Sequence, residues 1–260
     1  MTSIGTDGTS VPLPDDAGLP ELRLSWAAVT DVGRHRQANE DSFVTGPPIF
    51  AVADGMGGHH AGDIASDAVV RSLSTIVGSS TTSRDAVGEA LAAAVESLRD
   101  VLPEEHQGAG TTVTGAALVK EAGETRWAIF NIGDSRVYAV VGDEFFQVTT
   151  DHSIVQQLVE SGQISKDEAE YHPHANVITR AVGLMDAPVP DYVLMPVVAG
   201  TRLLICSDGL TKELTDVGIQ HFMENGGSPH ETVAELLRVA LENSGRDNIT
   251  VVIVDVENAE

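Results

Sequence analysis

Cysteine is almost absent from this 260-residue chain, where Cys206 stands alone. A single cysteine excludes an intramolecular disulfide and a cysteine zinc cluster, and it fits a reducing compartment. Basic residues are scarce too. Against 39 Asp and Glu there are 15 Lys and Arg, a formal charge of −24, so the surface repels nucleic acid and anionic lipid and neither is an expected partner. A phosphate-bearing ligand needs local cationic help on such a surface. Long hydrophobic runs are missing: no stretch approaches the roughly 20 apolar residues of a membrane span, and no basic segment followed by an apolar core opens the chain. The expected location is the cytoplasm.

Hydrophobic residues still make up 42% of the chain, enough for a sizeable core. Residues 1–20 are rich in Thr, Ser, Gly, Pro and Asp without apolar periodicity and read as a disordered leader. One domain is expected over 21–257. Strand-like runs recur through it: "LRLSWAAVT", "IFAVAD", "TTVTGAALV", "RWAIFNIG", "RVYAVV", "EFFQVTT", "RLLICSD" and "NITVVIVDV". The Gly142-Asp143 pair between two of them predicts a tight hairpin and so antiparallel pairing. Helices are expected in two pairs. Residues 61 to about 77 and 83 to about 102 carry apolar side chains three and four apart. Ser228 and Glu231 in capping-box spacing, with Pro229 at the first helical position, predict a helix to about residue 242, with 215–225 as its partner. Antiparallel strands interleaved with helix pairs argue for an α+β layered fold.

The chemistry gathers at strand ends. Asp54 follows "IFAVA", Asp208 follows "LLICS", Asp134 follows "FNIG", and Asp247 precedes "NITVVIV". Singly, each is an ordinary turn acid. Together, carboxylates at one sheet edge without matching Lys or Arg repel strongly, and a bound cation is the usual resolution. Oxygen-only ligands point to Mg²⁺ or Mn²⁺ rather than zinc. Four glycines in residues 55–62 let backbone approach such an ion, and the Gly55 carbonyl is itself a candidate ligand. Upstream, in "RHRQANEDSF", Arg36 offers a planar fork for a phosphoryl group, and Glu40 and Asp41 offer further metal or metal-water contacts.

The ordered set "RQANED", "VADGMGG", "GTTVTGAAL", "NIGDSRVY", "TTDHSIVQQLVESGQIS", "HPHANVITRAVG", "LLICSDGL" and "GRDNITVVIV" resembles the metal-dependent type 2C (PPM) Ser/Thr protein phosphatases in their bacterial form. Single motifs are weak, but the series runs over residues 22–256 in the family's order. The resemblance implies a four-layer α-β-β-α sandwich, two antiparallel sheets flanked by helix pairs, with a binuclear metal site at one edge and a small flap subdomain at about 151–180. It implies that Asp54 bridges two metals, that the Gly55 carbonyl binds one of them, and that Asp208 and Asp247 are direct ligands. Glu40 and Asp41 match the acidic pair beside the second metal, in contact directly or through water. Asp134 with Asp208 resembles a third, weaker metal site, and Arg36 matches the phosphate-binding arginine.

The implied reaction is hydrolysis of phosphoserine and phosphothreonine in proteins by a metal-bridging water or hydroxide, without a phosphoenzyme. Phosphorylated proteins, a Ser/Thr kinase and its targets are the implied partners, and a monomer is expected. Eukaryotic members carry a histidine directly after the Asp-Gly pair, where this chain has Met56, so the proton donor to the leaving group is either a metal-bound water, which we favour, or His59; His59 and His60 otherwise read as loop histidines. Ser165 and Glu168 are expected to cap the second flap helix. Cys206, in an apolar strand, reads as core. A flapless sigma-regulating phosphatase, a metal-free scaffold and a small-molecule phosphohydrolase are the rival readings.

Overall fold

The computed structural model describes residues 1–13, 18–19, 21–57, 61–101, 108–184 and 189–259. His59 and His60 lie outside the described residues. The elements in chain order are β1 (Ser3–Ile4), β2 (Gly8–Pro12), β3 (Leu22–Asp31), β4 (Asp41–Gly46), β5 (Ile49–Met56), α1 (Ala61–Ser74), α2 (Arg84–Val101), β6 (Gly110–Thr111), β7 (Val113–Glu121), β8 (Glu124–Ile132), β9 (Arg136–Val141) and β10 (Glu144–Gln147). There follow α3 (Ile154–Glu160), α4 (Lys166–Glu170), β11 (Asp191–Pro196), β12 (Arg202–Cys206), α5 (Asp208–Thr211), α6 (Asp216–Asn225), α7 (Pro229–Asn243) and β13 (Ile249–Asn258). One sheet has the order β1-β4-β5-β7-β8-β11, with β6 on the end of β5; the other runs β10-β9-β12-β13-β3-β2. Pairing is antiparallel except that β1 joins β4 in parallel. The Gly142-Asp143 hairpin forms as expected, with Val141 opposite Glu144.

Strand periodicity builds the layers. Side chains two apart on a strand share a face, so Phe50 and Val52 of β5 enter the layer between the sheets while Ile49, Ala51 and Ala53 pack under α1 and α2. Leu203 and Ile205 of β12 face the same middle layer, and Leu204 and Cys206 turn toward α6 and α7. Three apolar layers result, giving the expected helix-sheet-sheet-helix sandwich.

The expected disordered leader is corrected where it is described. Ser3–Ile4 pairs with Phe43 and Val44, and Gly8–Pro12 pairs with β3, so this one segment edges both sheets. It docks because the Trp26 indole donates to the Thr6 carbonyl at 2.8 Å and because Gly8 passes over the ring, where a Cβ would come within 2.3 Å of Trp26. Two other strands escaped the periodicity reading, β4 and β11. β4 is buried along its whole length although four of its six residues are polar or glycine.

Residues 151–180 leave the sheets as a two-helix excursion. Ser153 caps α3, and Ser165 with Glu168 makes the expected capping box on α4. Its base is tied down: Arg136 holds Asp151 through a fork of 3.0 and 2.7 Å, and His152 accepts from the Gly133 amide at 3.0 Å.

On α7, Ser228 and Glu231 form the second capping box, with Pro229 in the first turn. Ser228→Ala removes the side-chain acceptor for the Glu231 amide and is expected to cost about 0.5–2 kcal/mol. Urea unfolding measures this; an unchanged midpoint and slope would show that α7 is held by packing alone.

Candidate metal and phosphate site

The same periodicity that builds the middle layer places the acids. Asp54 has the parity of Phe50 and Val52, and Asp41 that of Phe43, so both point between the sheets where the apolar layer ends. They are direct cross-strand partners. From the other sheet, Ser207 continues the face of Leu203 and Ile205, and Thr250 that of Val252 and Val254. These hydroxyls donate to Asp41 Oδ2 at 2.7 and 2.6 Å, which stitches the two sheets together at the acid. Asp208 opens α5 directly after β12, Asp247 precedes β13, and Asp134 follows β8.

Backbone geometry sets the approach of the remaining pieces. Gly55 admits no side chain, because a Cβ there would lie 2.2 Å from the Gly62 carbonyl oxygen and 2.7 Å from that of Glu40. The β5 end is fixed by Thr111 and Thr112: the Thr111 hydroxyl and the Thr112 amide donate to the Asp54 carbonyl, each at 2.9 Å. The loop carrying Arg36 is held by Asn248, whose side-chain amide donates to Val32 and Ala38 and whose oxygen accepts from the Glu40 amide at 2.8 Å. Gly33, at φ +75°, lets that loop lie on the Asp247 backbone, 2.1 Å from where its Cβ would be.

Repulsion dominates the electrostatics. Burial, with the charges of Asp41, Asp208 and Asp134, lifts Asp54 well above the usual carboxylate range. Burial also pushes Asp41 up to about 7, with Asp208 and Asp247 adding to the shift and the two hydroxyl donors opposing it. Asp134 is likewise pushed to about 7 by burial and by Asp208 and Asp151. Burial acts to raise Asp247 as well, but Lys212 and Arg36 prevail and hold it below its ordinary value.

Asp41, Asp54, Asp134 and Asp208 lie near enough to act on one another's ionisation, and Asp247 acts on Asp41, but the premise that the acids lack matching cations is corrected. Lys212 Nζ sits 2.5 Å from Asp208 Oδ2 and 2.9 Å from Asp247 Oδ2, and Arg36 Nε is 2.8 Å from Asp247 Oδ1. Arg36 therefore pairs with an acid of the site. Lys212 was missed by sequence reasoning, although its i,i+4 spacing from Asp208 in a helical turn was the available signal. Asn248, Ser207 and Thr250 were missed as well, since only the folded sheets bring them to Arg36 and Asp41.

The fit to divalent cations is mixed. Asp41 Oδ1 and Asp208 Oδ1 are buried without a hydrogen-bond partner, and the donor set is all oxygen, as Mg²⁺ and Mn²⁺ prefer. Among the described residues, however, no three acidic, His or Cys side chains are gathered closely enough to hold an ion as they stand. The donors are right, and two of the acids are engaged by internal cations. Cys206 offers no alternative chemistry: burial pushes its thiol up to about 12.

Comparison with known proteins gives the same reading. A family model described as protein phosphatase 2C matches residues 30–244, a span that holds Arg36, Glu40, Asp41, Asp54, Gly55, Asp134 and Asp208. The protein phosphatase PhpP of Streptococcus pneumoniae is 35% identical over 251 residues, covering 91% of this chain and all of that protein. The crystal structure of the Mycobacterium tuberculosis serine/threonine phosphatase PstP superposes with a TM-score of 0.82 at 34% identity, covering 90% of this chain and 99% of the other. A second structure, of the catalytic domain of PstP in complex with two manganese ions, superposes with a TM-score of 0.78 at 33% identity, covering 91% and 100%. In sequence and in fold alike, this chain belongs to the protein phosphatase 2C family.

Proposed function

We propose that this chain is a protein-serine/threonine phosphatase that hydrolyses phosphoserine and phosphothreonine in proteins with the help of divalent cations. The observation that carries the reading is the convergence of Asp41, Asp54, Asp208 and Asp247 from both sheets on one edge, with unpartnered carboxylate oxygens and Arg36 beside them. Asp54, the Gly55 carbonyl and the Asp208 and Asp247 carboxylates would hold the core ions, with Glu40 and Asp41 in contact directly or through water. Asp134, beside Asp208, would hold a third and weaker one. Mn²⁺ or Mg²⁺ bound there supplies water acidified toward neutral pH and positive charge for the phosphoryl oxygens.

The chain's own residues bind and orient. Arg36, more than half exposed, leaves Asp247 to take two phosphoryl oxygens in its planar fork and so fixes the in-line direction of attack. Met56 has no ionisable proton, and of the two donors water and His59 we favour water for the leaving alkoxide. Hydrolysis is direct in this reading, and a cysteinyl phosphoenzyme is disfavoured because the one cysteine is buried and its thiol pushed up to about 12. The excursion at 151–180 flanks the Gly133–Asp134 turn through His152 and suits a protein-sized substrate, the product of a Ser/Thr kinase. Among the described residues no helix is long and apolar enough to cross a membrane.

The decisive experiment is turnover of a phosphothreonine peptide with and without Mn²⁺, beside a free metabolite phosphate. Chelation and Asp54→Ala are each expected to abolish activity while the circular-dichroism spectrum stays native; full turnover in excess chelator would refute the metal reading. Calorimetric titration of Mn²⁺ beside turnover of the same peptide is expected to show that Asp134→Ala keeps two tight ions and loses kcat, and wild-type kcat at every Mn²⁺ concentration would refute the third-ion role.

Arg36→Ala is expected to raise KM, with a smaller fall in kcat. Steady-state kinetics on the same peptide measure both, and unchanged constants would remove Arg36 from the phosphate site.

The raised carboxyl groups carry a pH signature. Asp41 and Asp134 ionise near 7 in the fold and near 3.9 when unfolded. The folded state therefore binds more protons between these values, and stability contributed by the neutral acids is lost as pH rises from about 4 to about 7. In chelator, Tm should fall over this interval, and Asp41→Asn should flatten the fall. Parallel Tm profiles for variant and wild type would show that Asp41 is not the titrating group.

A further inference from the structure

Among the described residues Lys212 is the one ammonium that reaches the acids of the site, and its placement is built rather than incidental. It ends α5, and its amide donates to the Asp208 carbonyl at 2.8 Å, so the side chain rises directly over the carboxylate four residues before it. The backbone on its other side is pinned. The Lys212 carbonyl accepts from Arg246 at 2.6 Å, and the buried side chain of the next residue, Glu213, pairs with Arg246 at 2.9 Å. From this fixed root the ammonium spans Asp208 Oδ2 and Asp247 Oδ2, acids contributed by the ends of two neighbouring strands. The stem is 28% exposed, so a path to solvent is open.

We propose that the Lys212 ammonium is a tethered competitor of the divalent cation for Asp208 and Asp247, and that metal loading requires the side chain to swing out to solvent. The inference rests on the metal-centre reading above. It accounts for the coexistence of a hard oxygen donor set, unpartnered Asp41 and Asp208 oxygens, and the lack of a closed ligand group among the described residues. A tethered ammonium acts at high effective concentration and is not diluted away. Its occupancy therefore lowers the apparent metal affinity by the fraction of time that the carboxylates are free. The chain carries its own threshold for cation.

Calorimetric titration of Mn²⁺ into wild type, Lys212→Met, Lys212→Arg and the surface control Lys166→Ala tests this, alongside thermal melts in chelator and in Mn²⁺. Lys212→Met is expected to tighten Mn²⁺ binding on the order of tenfold, as follows if the ammonium holds the carboxylates about nine-tenths of the time. Its Tm in chelator should fall, because Asp208 and Asp247 lose their counterion, and its gain in Tm on adding Mn²⁺ should exceed that of wild type. Lys212→Arg should stay near wild type, and Lys166→Ala, which changes net charge equally, should leave the affinity unchanged. Binding by Lys212→Met alone would support competition in its strongest form. Wild-type binding with no tightening in Lys212→Met, or equal tightening in Lys166→Ala, would overturn the inference. Failure of both wild type and Lys212→Met to bind Mn²⁺ would overturn the metal-centre reading and the inference with it.

Discussion

Asp41 and Asp54 face each other across two neighbouring strands at the end of an apolar layer, and the edge around them is organised by that repulsion. Like charges opposite one another destabilise a sheet, and poor hydration makes the cost larger. Three responses are built into the chain. Ser207 and Thr250 reach across from the other sheet to hold Asp41 by one oxygen. Burial moves Asp41, Asp54 and Asp134 toward the neutral acid. Lys212 and Arg36 bring positive charge to Asp208 and Asp247. Each response satisfies part of the cluster, and Asp41 Oδ1 and Asp208 Oδ1 are still left without a partner.

Stability to hold such a cluster comes from elsewhere in the fold. The middle layer is filled by large side chains such as Phe50, Trp127 and Leu203, and each sheet has its own helix-covered layer outside. Backbone contacts then transmit that rigidity to the strand ends: Thr111 and Thr112 clamp Asp54 from the next strands, and Asn248 clamps the Arg36 loop. A site of mutually repelling groups keeps its shape because the strands that carry it have no freedom to separate.

The legible parts of the sequence were those with local causes. Alternating apolar runs gave β3, β5, β8, β12 and β13, and Ser-x-x-Glu spacing gave the starts of α4 and α7. Asp54, Asp208 and Asp247 could be read because each adjoins such a run. β4 could not, since "DSFVTG" carries few large apolar residues and is buried only because β5 and α1 lie against it. β1 and β2 depend on distant contacts, with Phe43 and Trp26, that no local pattern encodes. Lys212 stood in plain view at i+4 from Asp208, but its reach to Asp247 requires β12 and β13 to pair.

The acids are divided between two bodies. Asp41 and Asp54 belong to one sheet, Asp208 and Asp247 flank strands of the other, and Asp134 and Arg36 lie on links that pass from one sheet to the other. The spacing of the two halves is thus set by the thickness of the apolar filling between the sheets. Residues such as Val52, Ile205 and Val252, which belong to that filling, act as its shims. Protein interiors pack about as densely as organic crystals and yield little to compression. A methyl group added or removed there becomes a change in aperture at the far edge, so the chemistry of this protein is calibrated by side chains that never touch a substrate.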